Sequence, residues 1–455
     1  MNANPRFRAE RKRWLLLLAS TFLVFLVSPV RQVSDSHYSM LLAAQLASHA
    51  RFELDAYFRG DLRPDRHPGL RANGLPYQLR EIRGHTYYLY PPGSSILSIP
   101  FVALLGTLGQ SPVAPDGGYD KYGERSIQRI LAALLMAGFT ALVFSSARLV
   151  LPESWSLLVS LAVAFGSQVW STASRGVWSH TWELLLLGVA VHHLLSNAVR
   201  GSRLSGALLS TALAWAYVTR PTAAISLVGV ALYLLLWKRE ARGTFLLGLV
   251  GWLGLFSAYS WVHFGTLLPL YFQPGRLGTE SLMEGLLGNL FSPSRGLFVY
   301  VPWLIFIGYT LLSYRAALRP RALLVLAAAV IAVHWFVASA NPMWWGGHSY
   351  GPRLMIDVLP WQVLLTVAAL RAWLNARETI APRRLRWERR LAVASLAFAV
   401  FAQASGALSS KGGRWNLHPR NVDEQPSRVW DWSDPQFLAW HLHPRKRKTA
   451  PAAGE

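Results

Sequence analysis

The chain has 455 residues, of which 52% are hydrophobic and 15% charged, with 20 tryptophans and no cysteine. The lack of cysteine excludes disulfides and thiolate metal sites. A formal net charge of +22 would suit nucleic acid. Here, however, the bases gather at the ends of long apolar runs, as orienting a membrane protein requires, which argues against a nucleic-acid partner.

Residues 1–13 carry Arg6, Arg8, Arg11, Lys12 and Arg13 ahead of the apolar run 14–30. The positive-inside rule puts this basic segment in the cytoplasm. Ser28-Pro29-Val30-Arg31 lacks a small-x-small cleavage pattern, so the run reads as a retained anchor. Asp35, in Ser34-Asp35-Ser36-His37-Tyr38, then emerges on the outer face. A carboxylate beside the headgroups can act on a lipid-borne substrate whose reactive end is in water. The plainer alternative is that Asp35 caps a helix beginning near Ser36.

Residues 31–124 are expected to form one outer loop. It begins with an amphipathic helix near 36–50, continues through an irregular polar part and returns at Tyr90-Pro91-Pro92-Gly93. The apolar run 94–109 is only about 24 Å long as a helix, against a hydrocarbon core of about 30 Å, and it contains Pro100. It reads as interfacial or re-entrant.

Further spans are expected near 126–147, 155–171, 182–198, 205–219, 221–237, 244–262, 297–313, 322–339, 354–370 and 391–407. The fold class is therefore an all-α polytopic membrane protein of about eleven transmembrane helices, with a bundle over 14–407. The later inner connections then hold sixteen Arg and Lys, whereas the short outer ones hold only Arg175, Arg220, Arg276, Arg295 and Arg353. The segment 408–455 falls outside the membrane. Its Trp415, Trp430, Trp432, Phe437 and Trp440 suit an interface or packing on the outer loop, and its basic run 444–448 suits solvent. No internal repeat is evident.

Ionisable groups near the membrane are costly and tend to be functional. Arg353 follows Pro352 at an expected helix start, where free N–H groups favour a phosphate, and Asp357 one turn on can hold its guanidinium. Arg220, Arg175 and His348 are further donor-phosphate candidates. His37, Tyr90, Trp178, His180, Trp344, Trp345 and Tyr350 are candidates for the sugar, the acceptor or support. Arg175, Arg220 and Arg295 also read as arginines snorkelling to the interface, and Glu53 and Asp55 as solvated loop charges. No metal site is expected: hard cations usually need two or more carboxylates close together, and near the first span there is one. A mixed site completed by His37 is the weaker option, so no cofactor is expected beyond an occasional divalent cation.

Taken together, these residues resemble the GT-C membrane glycosyltransferases, in the branch of the protein O-mannosyltransferases and lipid A aminoarabinose transferases. The shared features are an acid just after span one, interfacial helices in the first loop, the Pro-Pro turn and a multi-span bundle. The stretches from Trp344 to Arg353 and Trp430 to Phe437 look like those of uncharacterised bacterial members. Many relatives carry a second acid beside the loop aspartate, where this chain has Ser36. The resemblance implies transfer of a sugar from a polyprenyl-phosphate carrier to a glycolipid, polysaccharide or protein acceptor, at the outer face of the bacterial cytoplasmic membrane. Asp35 would be the general base of an inverting displacement, with Arg353 first among the phosphate ligands. The alternatives are a lipid or solute transporter or flippase, and a non-catalytic scaffold. Transporters usually show repeats and ionisable groups at midplane, whereas here these groups sit at the outer ends of the spans.

Overall fold

The first helix, α1 (Pro5–Val27), leads into a turn over residues 34–38 and then into α2 (Ser39–His49). A hairpin follows, of β1 (Leu79–Ile82) and antiparallel β2 (His85–Tyr88), and then α3 (Gly93–Thr107). The rest is helical: α4 (Lys121–Arg148), α5 (Glu153–Phe165), α6 (Ser179–Arg200), α7 (Gly206–Thr219), α8 (Ala224–Trp237), α9 (Arg239–Phe264), α10 (Leu282–Phe291), α11 (Leu297–Tyr300), α12 (Trp303–Ser313), α13 (Arg321–Ser339), α14 (Leu359–Ala376), α15 (Pro382–Leu408), α16 (Lys411–Trp415) and α17 (Ala439–Leu442). This computed structural model describes residues 5–58, 62, 66–71, 74–273 and 277–442. Arg276 and the basic run 444–448 lie outside them.

Local chemistry sets several boundaries. Asp120 caps α4 by accepting from the Tyr122 amide, and Ser205 caps α7 by accepting from Leu208. Gly201 and Gly265, at φ +65° and +71°, close α6 and α9 in the left-handed conformation that glycine tolerates.

Five helices among the described residues are long and apolar enough to cross a membrane: α4, α6, α9, α13 and α15. On α9, Leu247, Val250 and Val262 are 76%, 70% and 67% exposed. Apolar side chains so exposed along a whole helix are at home in lipid rather than water. These features mark a multi-pass membrane protein.

A helix lies on every run expected to span, but several are shorter than the run. The run 155–171 stops being α-helical at Phe165, where the Gly166 carbonyl accepts the Trp303 indole and a buried π-turn, Val169–Ala173, follows. The run 297–313 is split into α11 and α12 around Val301-Pro302. The run 354–370 begins as a three-residue 3₁₀ turn, Arg353–Met355, and becomes α-helical only at Leu359. The polar part of the outer loop, expected to be irregular, contains the hairpin. Tyr87 and Tyr88 there lie on alternate faces and are both buried, one toward α9 and one toward the 34–38 turn.

The segment after α15 is folded rather than free. Trp415, Val422, Val429 and Ala439 form a core with Trp344, and Arg295 ties that core together. Its guanidinium donates to the Trp345 carbonyl at 2.7 Å, to Gln436 at 2.6 Å and to Asn416 at 2.8 Å.

Candidate active site

The turn at 34–38 is gripped from two sides. From the hairpin, Gln78 donates to the Ser34 carbonyl at 3.0 Å and the Tyr88 hydroxyl to the Asp35 carbonyl at 2.8 Å. From α4, Gln128 donates to the Ser36 carbonyl at 2.8 Å and accepts from the Ser36 hydroxyl at 2.9 Å. Tyr38 sits at φ +71°, a left-handed conformation costly for a bulky residue, held by ring contacts with Phe58 and Tyr119.

Asp35 does not cap α2. That role falls to Glu124 of α4, whose buried carboxylate accepts from the Met40 and Leu41 amides, both at 3.0 Å. The Asp35 side chain is left facing outward from the turn. One oxygen accepts from the Tyr77 hydroxyl at 3.3 Å and the other from Arg353 Nη2 at 3.0 Å. The two side chains of this pair are 28% and 15% exposed, so both meet solvent.

Arg353 is held on three sides. Its guanidinium lies 4.1 Å from the centre of the Trp178 ring, Nε faces His180 Nε2 at 3.4 Å, and Nη2 meets Asp35. Among the described residues Nη1 donates to no protein group, leaving N–H bonds for an anion. Tyr90 belongs to the same neighbourhood: burial, followed by the charge of Asp35, raises its hydroxyl well above the ordinary range. Tyr77 is raised for the same two reasons. Gly93, after the Pro-Pro turn, allows this segment to sit on the end of α7; a Cβ there would stand 2.6 Å from the Thr219 amide nitrogen.

Behind Arg353 is a buried network. His180 Nδ1 is 2.5 Å from one Asp357 oxygen. The other Asp357 oxygen accepts from Arg220 Nε at 2.6 Å and the Thr222 hydroxyl at 2.8 Å. Arg220 also donates to Ser179 at 3.0 Å and lies 3.4 Å from Glu183. Burial works against the Arg220 charge, but Asp357 and Glu183 outweigh it and hold its pKa above the ordinary value. His334 Nε2 donates to the Leu354 carbonyl at 2.8 Å and lies 3.8 Å from Asp357.

This arrangement corrects one expectation directly. Asp357 does not hold Arg353; it holds Arg220 and His180. The i,i+4 argument assumed a continuous helix, whereas residues 353–358 form a 3₁₀ turn and a bend.

Other candidates sit elsewhere. Arg175 is 3% exposed and donates to the Phe25 carbonyl at 2.6 Å and the Ser28 carbonyl at 3.1 Å, closing the end of α1. Burial, then the charge of Arg129, lowers its pKa to about 9, so it stays charged at neutral pH. His37 is buried against the Tyr119 hydroxyl at 3.2 Å, and burial followed by the nearby Arg125 charge lowers it to about 4. His348 meets Asn421 at 2.7 Å and Asp423 at 3.3 Å, on the segment after α15. Trp344 is inside that segment's core and the Trp345 indole donates to Asp423. Tyr350 is buried against Gly406 and Gly412, with its hydroxyl on the Ala402 carbonyl at 2.6 Å. Asp55 and Glu53 are not merely solvated: Asp55 accepts from the Thr86 amide and pairs with His85, and Glu53 accepts from Tyr87.

Tyr77, Thr222, Glu124 and Glu183 have no assigned role in the sequence reading. For Glu183 a signal was present, since it lies three residues after His180 and so shares a helix face with it. His180, Glu183 and Asp357 offer ligand atoms within 4.8 Å of one another. Arg220 lies 2.6 Å from Asp357 and 3.4 Å from Glu183, whose buried oxygens accept no hydrogen bond among the described residues.

No protein-family model matches the chain, and no curated protein matches it. Among solved structures, the chain is similar to the oligosaccharyltransferase of Archaeoglobus fulgidus in its apo form. The identity is 11% and the TM-score 0.46, over 95% of this chain and 61% of that one. This chain thus spans about three fifths of its neighbour's length.

Proposed function

We propose that this chain is a GT-C-type membrane glycosyltransferase. In this reading a chain of about eleven spans moves a sugar from a polyprenyl-phosphate carrier to an acceptor at the outer face of a bacterial cytoplasmic membrane. One observation carries the reading. A carboxylate with no capping duty, partly open to solvent, lies 3.0 Å from a guanidinium whose Nη1 has no partner among the described residues.

Each group has a role that follows from its charge. Asp35 takes the proton from the acceptor nucleophile as that atom bonds to the anomeric carbon. The bond from that carbon to the carrier phosphate breaks, and configuration inverts in one displacement. The departing phosphate gains negative charge, which Arg353 receives through Nη1 and Nη2. A phosphate at Arg353 also competes for the donor now given to Asp35, and so frees the base when donor is bound. Trp178 and His180 keep the guanidinium in place.

The test is an Asp35→Asn variant of the full chain in membranes, assayed for sugar release from a polyprenyl-phosphate donor. Turnover should fall by about 10²–10⁴-fold. Turnover at the wild-type rate would remove Asp35 from the chemistry.

A further inference from the structure

We propose that the groove between α5, α12, α14 and α15 holds an acyl chain of an acidic phospholipid, with Arg389 on the headgroup phosphate. The groove is a cavity of about 360 Å³ walled by Trp155, Val159, Trp303, Phe306, Trp373 and Leu396, among others. Its polar groups are those of Thr366, Arg389 and three indoles; the Thr366 hydroxyl is bonded to the Gln362 carbonyl at 2.8 Å, and the Trp303 and Trp373 indoles to the Gly166 carbonyl and Glu388. A polar solute would therefore find few partners along the walls, whereas a hydrocarbon chain needs none. Leu158 and Val393, also in the lining, are 43% and 68% exposed, so the groove opens on the apolar outside of the bundle.

The charge at one end selects the headgroup. Arg389 is exposed, and among the described residues no hydrogen bond or ion pair engages it. Its neighbour Glu388 does not neutralise it, because that carboxylate is buried and taken up by Tyr309, Tyr314, Trp373 and Arg384. Trp155 and Trp373 meet edge to face, 5.6 Å apart, at this same end, and amphipathic rings of this kind favour the headgroup layer. From Arg389 to Leu396 the wall of α15 runs about 10 Å, which fits a tail entering from the surface. The groove shares no residue with the Asp35–Arg353 site, so the proposal is independent of glycosyl transfer.

The experiment is native mass spectrometry on the delipidated full chain with equimolar phosphatidylglycerol and phosphatidylcholine of identical tails. Wild type should retain the acidic lipid over the zwitterionic one by roughly fivefold, the effect of one basic residue at a membrane surface. Arg389→Ala should bring the ratio to about one, and Ala162→Phe, which fills the groove, should lower retention of both lipids. Arg386→Ala, an exposed arginine on the same helix outside the lining, should leave the ratio unchanged. Equal retention by wild type, which needs no variant to fold, would overturn the proposal. So would an equal fall in Arg386→Ala and Arg389→Ala, which would assign the preference to the general charge of that end.

Discussion

Two arginine–aspartate pairs lie close together in this molecule and sit in different environments. Asp35 with Arg353 is partly open, made by a loop and a 3₁₀ turn, and has N–H bonds to spare. Asp357 with Arg220 is almost wholly enclosed, and its acceptors are spoken for by Arg220, Thr222 and His180. A pair in solvent adds little to stability and can exchange its partner for a ligand. An enclosed pair cannot be opened cheaply, because the remaining charge would have nowhere to go. Environment, rather than residue type, thus separates the two pairs, and the proposed function gives chemistry to the open one.

The comparison can be broken most decisively at Asp35. Asp35→Asn should cost about 10²–10⁴-fold in turnover while shifting stability by about 1 kcal/mol or less. A large drop in melting temperature with activity preserved would reverse the assignment of the two pairs. Arg220→Met should do the opposite, costing about 3–5 kcal/mol in stability by stranding Asp357 in the interior. Thermal unfolding in detergent measures this, and a melting point like that of wild type would show the enclosed pair to be dispensable.

His37 sharpens the comparison through pH. Burial and Arg125 lower its folded-state pKa to about 4, against an ordinary histidine value of 6.5. The unfolded chain therefore binds the proton first as pH falls. Stability should be unaffected above pH 6.5 and decline by a few kcal/mol on the way down to about pH 4. His37→Phe should flatten that slope, and an unchanged slope in the variant would place its origin elsewhere. The smallest effect is expected at Trp178. Trp178→Leu removes the ring beneath Arg353, worth about 0.5–2 kcal/mol, and should weaken donor binding more than it slows turnover. The split between KM and kcat decides this.

The sequence made part of the site legible. Asp35 and Arg353, 318 positions apart, are singled out by charge placement together with the family resemblance, and they meet. Arg220, and the supporting candidates Trp178, His180 and Tyr90, lie around them. The misassignments share a physical cause. Arg175, Tyr350 and Trp344 have the residue types of a site, but buried backbone carbonyls and a folded terminal segment use them instead. An arginine that caps a helix end and one that awaits a phosphate have the same local sequence signature, because hydrogen-bond partners from distant segments distinguish them.

What the residue order determined by itself was the membrane class, the helical runs, the basic ends and the position of Asp35 beyond the first helix, since apolar length and charge asymmetry act locally along the chain. What only the tertiary structure decided was which acid meets which arginine. Glu124 took the capping duty from Asp35, and the bend before α14 turned Asp357 from Arg353 to Arg220. Those outcomes depend on how separate helices pack and on which carboxylates that packing seals from water.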